Sequence, residues 1–254
     1  INLTSSDRSV LYALIGGKKT ISVVEKDNKK SWWKKKLLSN YYFYDTNQHI
    51  IIQNLTPLSL LGIESEKVQL SIDASEEALK NVLEKLKKKN IKDFLIFHPT
   101  AQYHYKMLPK ILRDELLFKL SKLGVSIVIS GSNNNIDTYI KHELPVLNNV
   151  YDFIGETSLE EYFALSHLSI AYVGMDTLNM HIAASQNKRI FAIFGSTKLS
   201  MWSPWSNQLK KATSLNKPIQ TYGENTIFQS YLPCEICGLV GCGSNHGKNE
   251  FKFS

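Results

Sequence analysis

Tyr172-Val173-Gly174-Met175-Asp176-Thr177-Leu178-Asn179-Met180-His181-Ile182-Ala183-Ala184 decides how this chain is read. The apolar run Leu168 to Val173 reads as strand and stops at Gly174. A helix signal opens at Asp176 or Thr177, residue types whose side-chain oxygens accept hydrogen bonds from unpaired first-turn amides. Thr177 and His181 stand four apart and share one helical face. A second strand-like run, Arg189 to Phe194, ends at Gly195. The unit is strand–helix–strand. A helix start at a strand's carboxyl end offers free amides and a favourable dipole to an anion.

The same alternation extends upstream. Phe94 to Phe97 reads as strand, and Leu108 to Leu123 as a helix closed by Gly124. Val125 to Ser130 is a β-branched strand, Ile136 to His142 a short helix, and Val150 to Ile154 a strand. Ser158 caps a helix running to about Ser166, with Glu160 and Glu161 in its first turn. Strands and helices at this spacing argue for βαβ units and a parallel sheet, and the near-continuous apolar strands for a sheet covered on both faces. Asp73 to Lys89 has helical spacing at Ala78, Leu79, Val82, Leu83 and Leu86 and ends at Asn90; it reads as a helix connecting two lobes. Residues 1–72 mix short apolar runs with basic and aromatic stretches, and Met201 to Ser230 reads as irregular surface loop.

The bulk numbers narrow the class. With 254 residues, 43% hydrophobic and 21% charged, the composition is globular and large enough for one or two cores. The net charge of +7 points to anionic partners: phosphates, nucleic acid or a membrane surface. No apolar run is long enough to span a bilayer. Three clustered cysteines do not form a secreted disulfide framework, which favours a reducing cytosol. The chain begins at Ile1, inside Ile1-Asn2-Leu3, which already reads as strand; this is expected of a fragment.

Polar residues gather after four strands: His98-Pro99-Thr100-Ala101 with Lys106, Gly131-Ser132-Asn133, Asp176-Thr177, and Gly195-Ser196-Thr197. In an open parallel sheet these ends converge on one crevice. Small hydroxyls, a lysine and helix amides suit a diphosphate there, although turns and caps need the same residue types. His181 alone reads as a packed histidine; the Asp–Thr pair before it brings it towards the crevice. Gly16-Gly17-Lys18-Lys19-Thr20 lacks P-loop spacing and reads as a helix end. Lys29-Lys30-Ser31-Trp32-Trp33-Lys34-Lys35-Lys36 fits anionic lipid headgroups, single-stranded nucleic acid, or a solvated loop with one Trp anchored in the core. Cys234, Cys237, Cys242 and His246 approach zinc-ligand spacing, with free or buried thiols as the plainer reading.

These motifs together resemble the bacterial lipopolysaccharide heptosyltransferases, the ninth glycosyltransferase family. The resemblance rests on Ile96-Phe97-His98-Pro99-Thr100-Ala101 with Lys106, on Asp176-Thr177-x-x-x-His181-x-Ala183-Ala184, on Ile193-Phe194-Gly195-Ser196-Thr197 with Trp202-Ser203-Pro204-Trp205, and on the cysteine cluster. Together these blocks cover roughly Lys92 to Cys242, and His98-Pro99-Thr100-Ala101 with Ile1-Asn2-Leu3-Thr4 leans the resemblance towards the heptosyltransferase III branch.

The resemblance implies an α/β, GT-B-type architecture of two Rossmann-like lobes, the amino-terminal one incomplete. Residues 1–72 would belong to an acceptor-binding lobe, 73–90 to the connecting helix and 91–254 to the nucleotide-sugar donor lobe. Thr100, Lys106, Asn133, Asp176, Thr177, Leu178 and His181 would bind the donor. Asn133 stands where members often place a carboxylate near the ribose, and Leu178 replaces a frequent glycine or alanine. Arg8 and Ser9 would meet acceptor phosphate. The catalytic base would be an Asp upstream of Ile1.

The implied reaction is inverting, metal-independent transfer of heptose from ADP-heptose to the lipopolysaccharide inner core, with no cofactor beyond the ADP-sugar co-substrate. The implied partners are that donor and a lipid-linked oligosaccharide acceptor, with peripheral contact with the inner membrane on the cytoplasmic side and no nucleic acid. Two alternatives stand beside it: a GT-B sugar-nucleotide epimerase or hydrolase, and a zinc-dependent nucleic-acid-binding module.

Overall fold

The computed structural model describes residues 1–64, 67–103 and 106–229. The chain divides into two compact units, residues 1–68 with 200–203, and 69–199 with 204 onwards.

The first unit holds α1 (Asp7–Gly16), β1 (Ile21–Val24), α2 (Asn28–Leu37), β2 (Asn40–Phe43) and α3 (Ile50–Ser59). β1 and β2 pair in parallel, from Ile21 opposite Asn40 to Val24 opposite Phe43. Alternation along β1 splits its side chains between two small cores. Val24 joins Val10, Leu38, Leu14 and Trp33 on one face; Ile21 and Val23 join Tyr42 and Tyr44 on the other. α1 is capped by Ser6 and stops at Gly16-Gly17, as its glycines and lysines suggest. The expected strand at Ile1 to Leu3 shrinks to one parallel bridge, Asn2 with Ser22. The Asn2 side chain turns aside to donate to Thr4 O and to the Ser9 and Ser22 hydroxyls.

The lysine–tryptophan stretch is a helix rather than a loop, because Asp27 accepts from the Lys29 amide and caps it. One of its lysines points inward. The Lys34 side chain is 1% exposed, and Nζ lies 2.8 Å from Asp7 Oδ1 and 2.9 Å from Glu25 Oε2. Burial pulls the Lys34 ammonium down, but its bonds to Asp7 and Glu25 outweigh this and leave it above its ordinary value. Burial likewise pushes the Glu25 carboxyl up, and Lys34 overrides it, holding Glu25 below its ordinary 4.5. A carboxyl depressed by folding contributes stability that is complete above 4.5 and lost as pH falls through the folded value. Urea unfolding should therefore show stability declining below about pH 4.5, with Lys34→Met flattening part of that slope. At pH 7 this variant should lose about 1–3 kcal/mol, below the cost of breaking a fully buried pair because water reaches both abandoned carboxylates. An unchanged acid slope would exclude the pair as its source.

The second unit begins with α4 (Glu76–Lys88), whose buried stripe is Ala78, Val82 and Leu86. Ser75 caps it, and Asn90 leaves it at φ +54°. This segment packs within the second unit beside α7 (Leu159–Leu168), with Lys85 Nζ 2.8 Å from Glu161. Around these lie β3 (Phe94–His98), α5 (Lys110–Ser121), β4 (Ser126–Ile129), α6 (Asn135–Glu143), β5 (Val150–Asp152), β6 (Ala171–Met175), α8 (Leu178–Ser185), β7 (Arg189–Phe194), β8 (Ile219–Tyr222) and β9 (Asn225–Gln229); the short α9 (Leu199–Trp202) belongs to the first unit from residue 200 on.

The sheet order is β5-β4-β3-β6-β7-β9-β8, parallel throughout except for β8. β3 and β6 lie side by side at its middle, every residue of both buried. Ser158 and Glu161 complete a reciprocal capping box at the start of α7.

β8 and β9 correct the expectation of irregular loop over Met201 to Ser230. They form a hairpin on a two-residue turn, Gly223-Glu224, with Gly223 at φ +53°. β9 then pairs in parallel with β7, extending the sheet. Among the described residues, no helix is long and apolar enough to cross a membrane.

Candidate functional site

Chain direction reverses between β3 and β6: successive strands leave β3 one way through β4 to β5, then return to β6 and run the other way. Such a switch point opens a crevice beyond the strands' carboxyl ends. A cavity of about 770 Å³ lies there, lined by the residues that follow β3, β4 and β6 and by the start of α7.

The β6–α8 turn forms one wall. Thr177 takes the N-cap position of α8 with extended backbone (φ −145°, ψ 175°), yet its side chain makes no capping bond. Its hydroxyl turns back towards Tyr172 Oη, 3.4 Å away, and Tyr172 donates to Met175 O at 2.8 Å. The expected side-chain cap is therefore absent, which leaves the first-turn amides of α8 facing the cavity without one. Gly174 makes this arrangement possible. A Cβ there would sit 2.5 Å from His98 O and 2.9 Å from Tyr172 Oη.

Lys106 crosses to the same turn. Its Nζ lies 3.2 Å from Asp176 Oδ2, with the two side chains 25% and 9% exposed. Its backbone amide is fixed by Tyr103 O at 3.0 Å. The loop after β3 and the turn after β6 are therefore joined by an ion pair at the cavity wall.

The third wall is a polar hub around His98. Its Nδ1 lies 3.0 Å from Ser130 O, 3.1 Å from Ser130 Oγ and 3.0 Å from the Asn179 side-chain amide. Burial pushes the imidazole below 6.5; the Asp137 carboxylate and the Ser130 carbonyl oppose this without reversing it, so the ring is neutral at pH 7. Asp137 organises the β4–α6 loop. Its Oδ2 accepts from Ser132 N at 2.6 Å, Ser132 Oγ at 3.0 Å and Asn134 Nδ2 at 2.9 Å, while Asn134 Oδ1 caps α6 through the Asp137 amide. Tyr162 closes the floor; burial, reinforced by nearby Tyr172, keeps its phenol protonated. Pre-set amides and hydroxyls around a neutral floor suit an anionic, polyhydroxylated ligand.

The structure brings Thr100, Lys106, Asp176, Thr177 and Leu178 together on this cavity; Thr100 is buried and Leu178 is 61% exposed. Asn133 is placed differently, against Gly155, while Ser132, Asn134 and Asp137 line the cavity on that side. His181 is half-buried on α8, outside the lining. Arg8 and Ser9 lie in the first unit. Ser9 Oγ donates to Thr4 O and Ser6 O, and exposed Arg8 packs over the Tyr12 ring. Cys234, Cys237, Cys242 and His246 lie outside the described residues. Sequence reasoning overlooked Asp137 and Tyr162. A carboxylate three residues into a helix that follows a Ser-Asn loop was the available signal for Asp137.

The chain is similar to several known proteins. Lipopolysaccharide heptosyltransferase 3 of Escherichia coli is 24% identical over 165 residues, covering 63% of this chain and 48% of the relative. The chain thus spans about half the length of the curated relatives it matches. Among solved structures, a family 9 glycosyl transferase from Veillonella parvula aligns with TM-score 0.67 at 17% identity, covering 81% of this chain and 59% of that one. The ADP-heptose LPS heptosyltransferase II of E. coli aligns with TM-score 0.64 at 19% identity, covering 80% and 64%. The fold is thus α/β of the GT-B kind. The sequence model of "Glycosyltransferase family 9 (heptosyltransferase)" matches residues 2–232, so this chain belongs to that family.

Proposed function

We propose that the second unit is the donor-binding part of a heptosyltransferase acting on the lipopolysaccharide core, and that its cavity holds the diphosphate of an ADP-sugar. The observation that carries this reading is the placement of Lys106 Nζ, 3.2 Å from Asp176, beside the uncapped start of α8. The helix amides and the ammonium would receive the β-phosphate oxygens. Ser132 and Asn134, held by Asp137, would face the ribose. The first unit would belong to the acceptor side.

In the reaction, an acceptor hydroxyl attacks the anomeric carbon from the face opposite the diphosphate. A new C–O bond forms, the bond to phosphate oxygen breaks, and the hydroxyl proton passes to a carboxylate base. Charge grows on the departing ADP, where Lys106 and the α8 amides are already in place, so little reorganisation is needed. No metal takes part in this scheme.

A thermal-shift panel of ADP, UDP, GDP and CMP tests the donor assignment. A ligand that binds only the native state at about 100 times its Kd adds ~2.7 kcal/mol of stability. ADP alone should raise the melting temperature, by several degrees. Preference for another nucleotide would overturn the adenine assignment, and no response to any of them would overturn the cleft itself.

A further inference from the structure

We propose that the outer flank of α2, together with the Tyr41–Phe43 ledge of β2, is a docking surface for an anionic phospholipid bilayer. The surface lies wholly within the first unit and is independent of the donor cleft. α2 carries five lysines and no acidic residue over Asn28–Leu37. Lys34 is consumed internally by Asp7 and Glu25, which fixes the rotation of the helix. Trp33 is anchored in the core beside Val24 and Leu38. Much of the remaining helix surface faces solvent: Lys29, Lys30 and Lys36 are exposed, Trp32 is 57% exposed and Leu37 is 60% exposed. Among the described residues, Lys29, Lys30 and Lys36 form no ion pair.

The apolar surface continues onto the edge strand. Tyr41 and Phe43 point to one face of β2, both exposed, with ring centroids 5.7 Å apart in an edge-on arrangement. Lys35 Nζ stands 4.9 Å from the Phe43 ring and links the ledge to the helix, and Lys36 Nζ stands 5.5 Å from the Trp32 ring. Exposed aromatics flanked by unpaired cations match the bilayer interface, where indoles settle at headgroup depth and lysines meet phosphates.

The ring geometry also separates lipid from nucleic acid. Base stacking needs an open ring face. Here an ammonium covers one face of Trp32 and of Phe43, and Tyr41 stands edge-on to Phe43. A ring that enters lipid edge-first keeps its cation at the surface. The acidic neighbours do not cancel the charge: Asp7 and Glu25 with Lys34 leave one negative charge and Asp27 adds another, against the four remaining lysines of α2.

The test is co-sedimentation of the 254-residue chain with vesicles. One set is pure phosphatidylcholine and the other contains about 30 mol% phosphatidylglycerol, at ionic strength near 0.1 M. The chain should bind the anionic vesicles and not the neutral ones, and binding should fade with added salt. Each surface lysine is worth about five-fold in affinity, so replacing Lys29, Lys30 and Lys36 together by Gln should weaken binding by about 100-fold. Trp32→Ala should weaken it by about ten-fold and keep the wild-type salt dependence, which the lysine variant should largely lose. All substituted residues are exposed, so melting temperature and ADP response should stay at wild-type values. A failure of the donor reading would appear in the ADP response alone. Equal binding by the triple-glutamine variant, absence of binding to anionic vesicles, or binding to a single-stranded oligonucleotide instead would each overturn the proposal.

Discussion

Lys106→Ala should weaken ADP binding by about 10- to 100-fold, the range set by one charge-assisted hydrogen bond to a phosphate. The loss should reach the upper part of that range because the substitution does more than delete a donor. Asp176 is 9% exposed and has Lys106 as its ion-pair partner. Without the ammonium, a nearly buried carboxylate confronts the incoming diphosphate. The double variant Lys106→Ala/Asp176→Asn should therefore recover part of the affinity, because it removes the repulsion without restoring the donor. On the proposed function, heptose transfer by Lys106→Ala should fall by roughly 10²- to 10³-fold, the scale on which one pre-placed stabiliser of developing charge acts. Melting temperature should fall as well, because Asp176, 9% exposed, loses its counter-charge, and the double variant should recover most of that loss. Calorimetric titration with ADP decides the matter: affinity within two-fold of wild type would remove Lys106 from the diphosphate site. Lys110→Ala is the control, because Lys110 pairs on the surface with Asp114 within its own helix.

Gly174→Ala should destabilise the second unit by about 2–3 kcal/mol, the upper range of overpacking in a close-packed interior. The added methyl would meet His98 O at 2.5 Å, Tyr172 Oη at 2.9 Å and His98 Cβ at 3.0 Å. His98 is the β3 residue in register with Gly174, so the first obstacle is backbone of a central strand and cannot swing away. Displacing Tyr172 instead would release the Met175 carbonyl and the Thr177 hydroxyl, loosening the turn that presents the α8 amides. Both routes damage the cleft, so ADP affinity should fall together with stability. Gly195→Ala is the matched comparison: its Cβ would meet nothing within 4 Å, and its stability should stay within about 0.5 kcal/mol of wild type. A melting temperature for Gly174→Ala equal to that of Gly195→Ala would show that the β3–β6 contact yields more readily than its geometry implies.

Local rules were legible wherever the chain obeys them on its own. Ser158 with Glu161, Asn90 and Gly124 marked their helix ends, and the apolar runs at Phe94, Ser126, Ala171 and Arg189 became the parallel strands. The β8–β9 hairpin was missed because its segments are short and only half apolar; pairing with β7, distant in sequence, is what makes β9 a strand. α2 was misread because its lysines look solvated, whereas Asp7 and Glu25 draw one of them inside. In the site, the Asp176–Thr177 turn and Lys106 could be named from spacing, and their meeting depended on the order of the sheet. Asn133 and His181 were named beside them; the cavity lining takes Asn134 and Asp137 from the same loop and Leu178 and Asn179 from the start of α8.

By itself, then, the order of residues determined the βαβ rhythm, the glycine breaks and the inventory of anion-binding groups. These depend on period and on neighbours a few positions apart. Which strand ends share a crevice, which way Thr177 Oγ1 turns, why Gly174 has no room for a methyl and which lysine of α2 is buried were decided only by tertiary structure. Each of those outcomes depends on atoms brought within a few ångströms by packing between segments far apart in the chain.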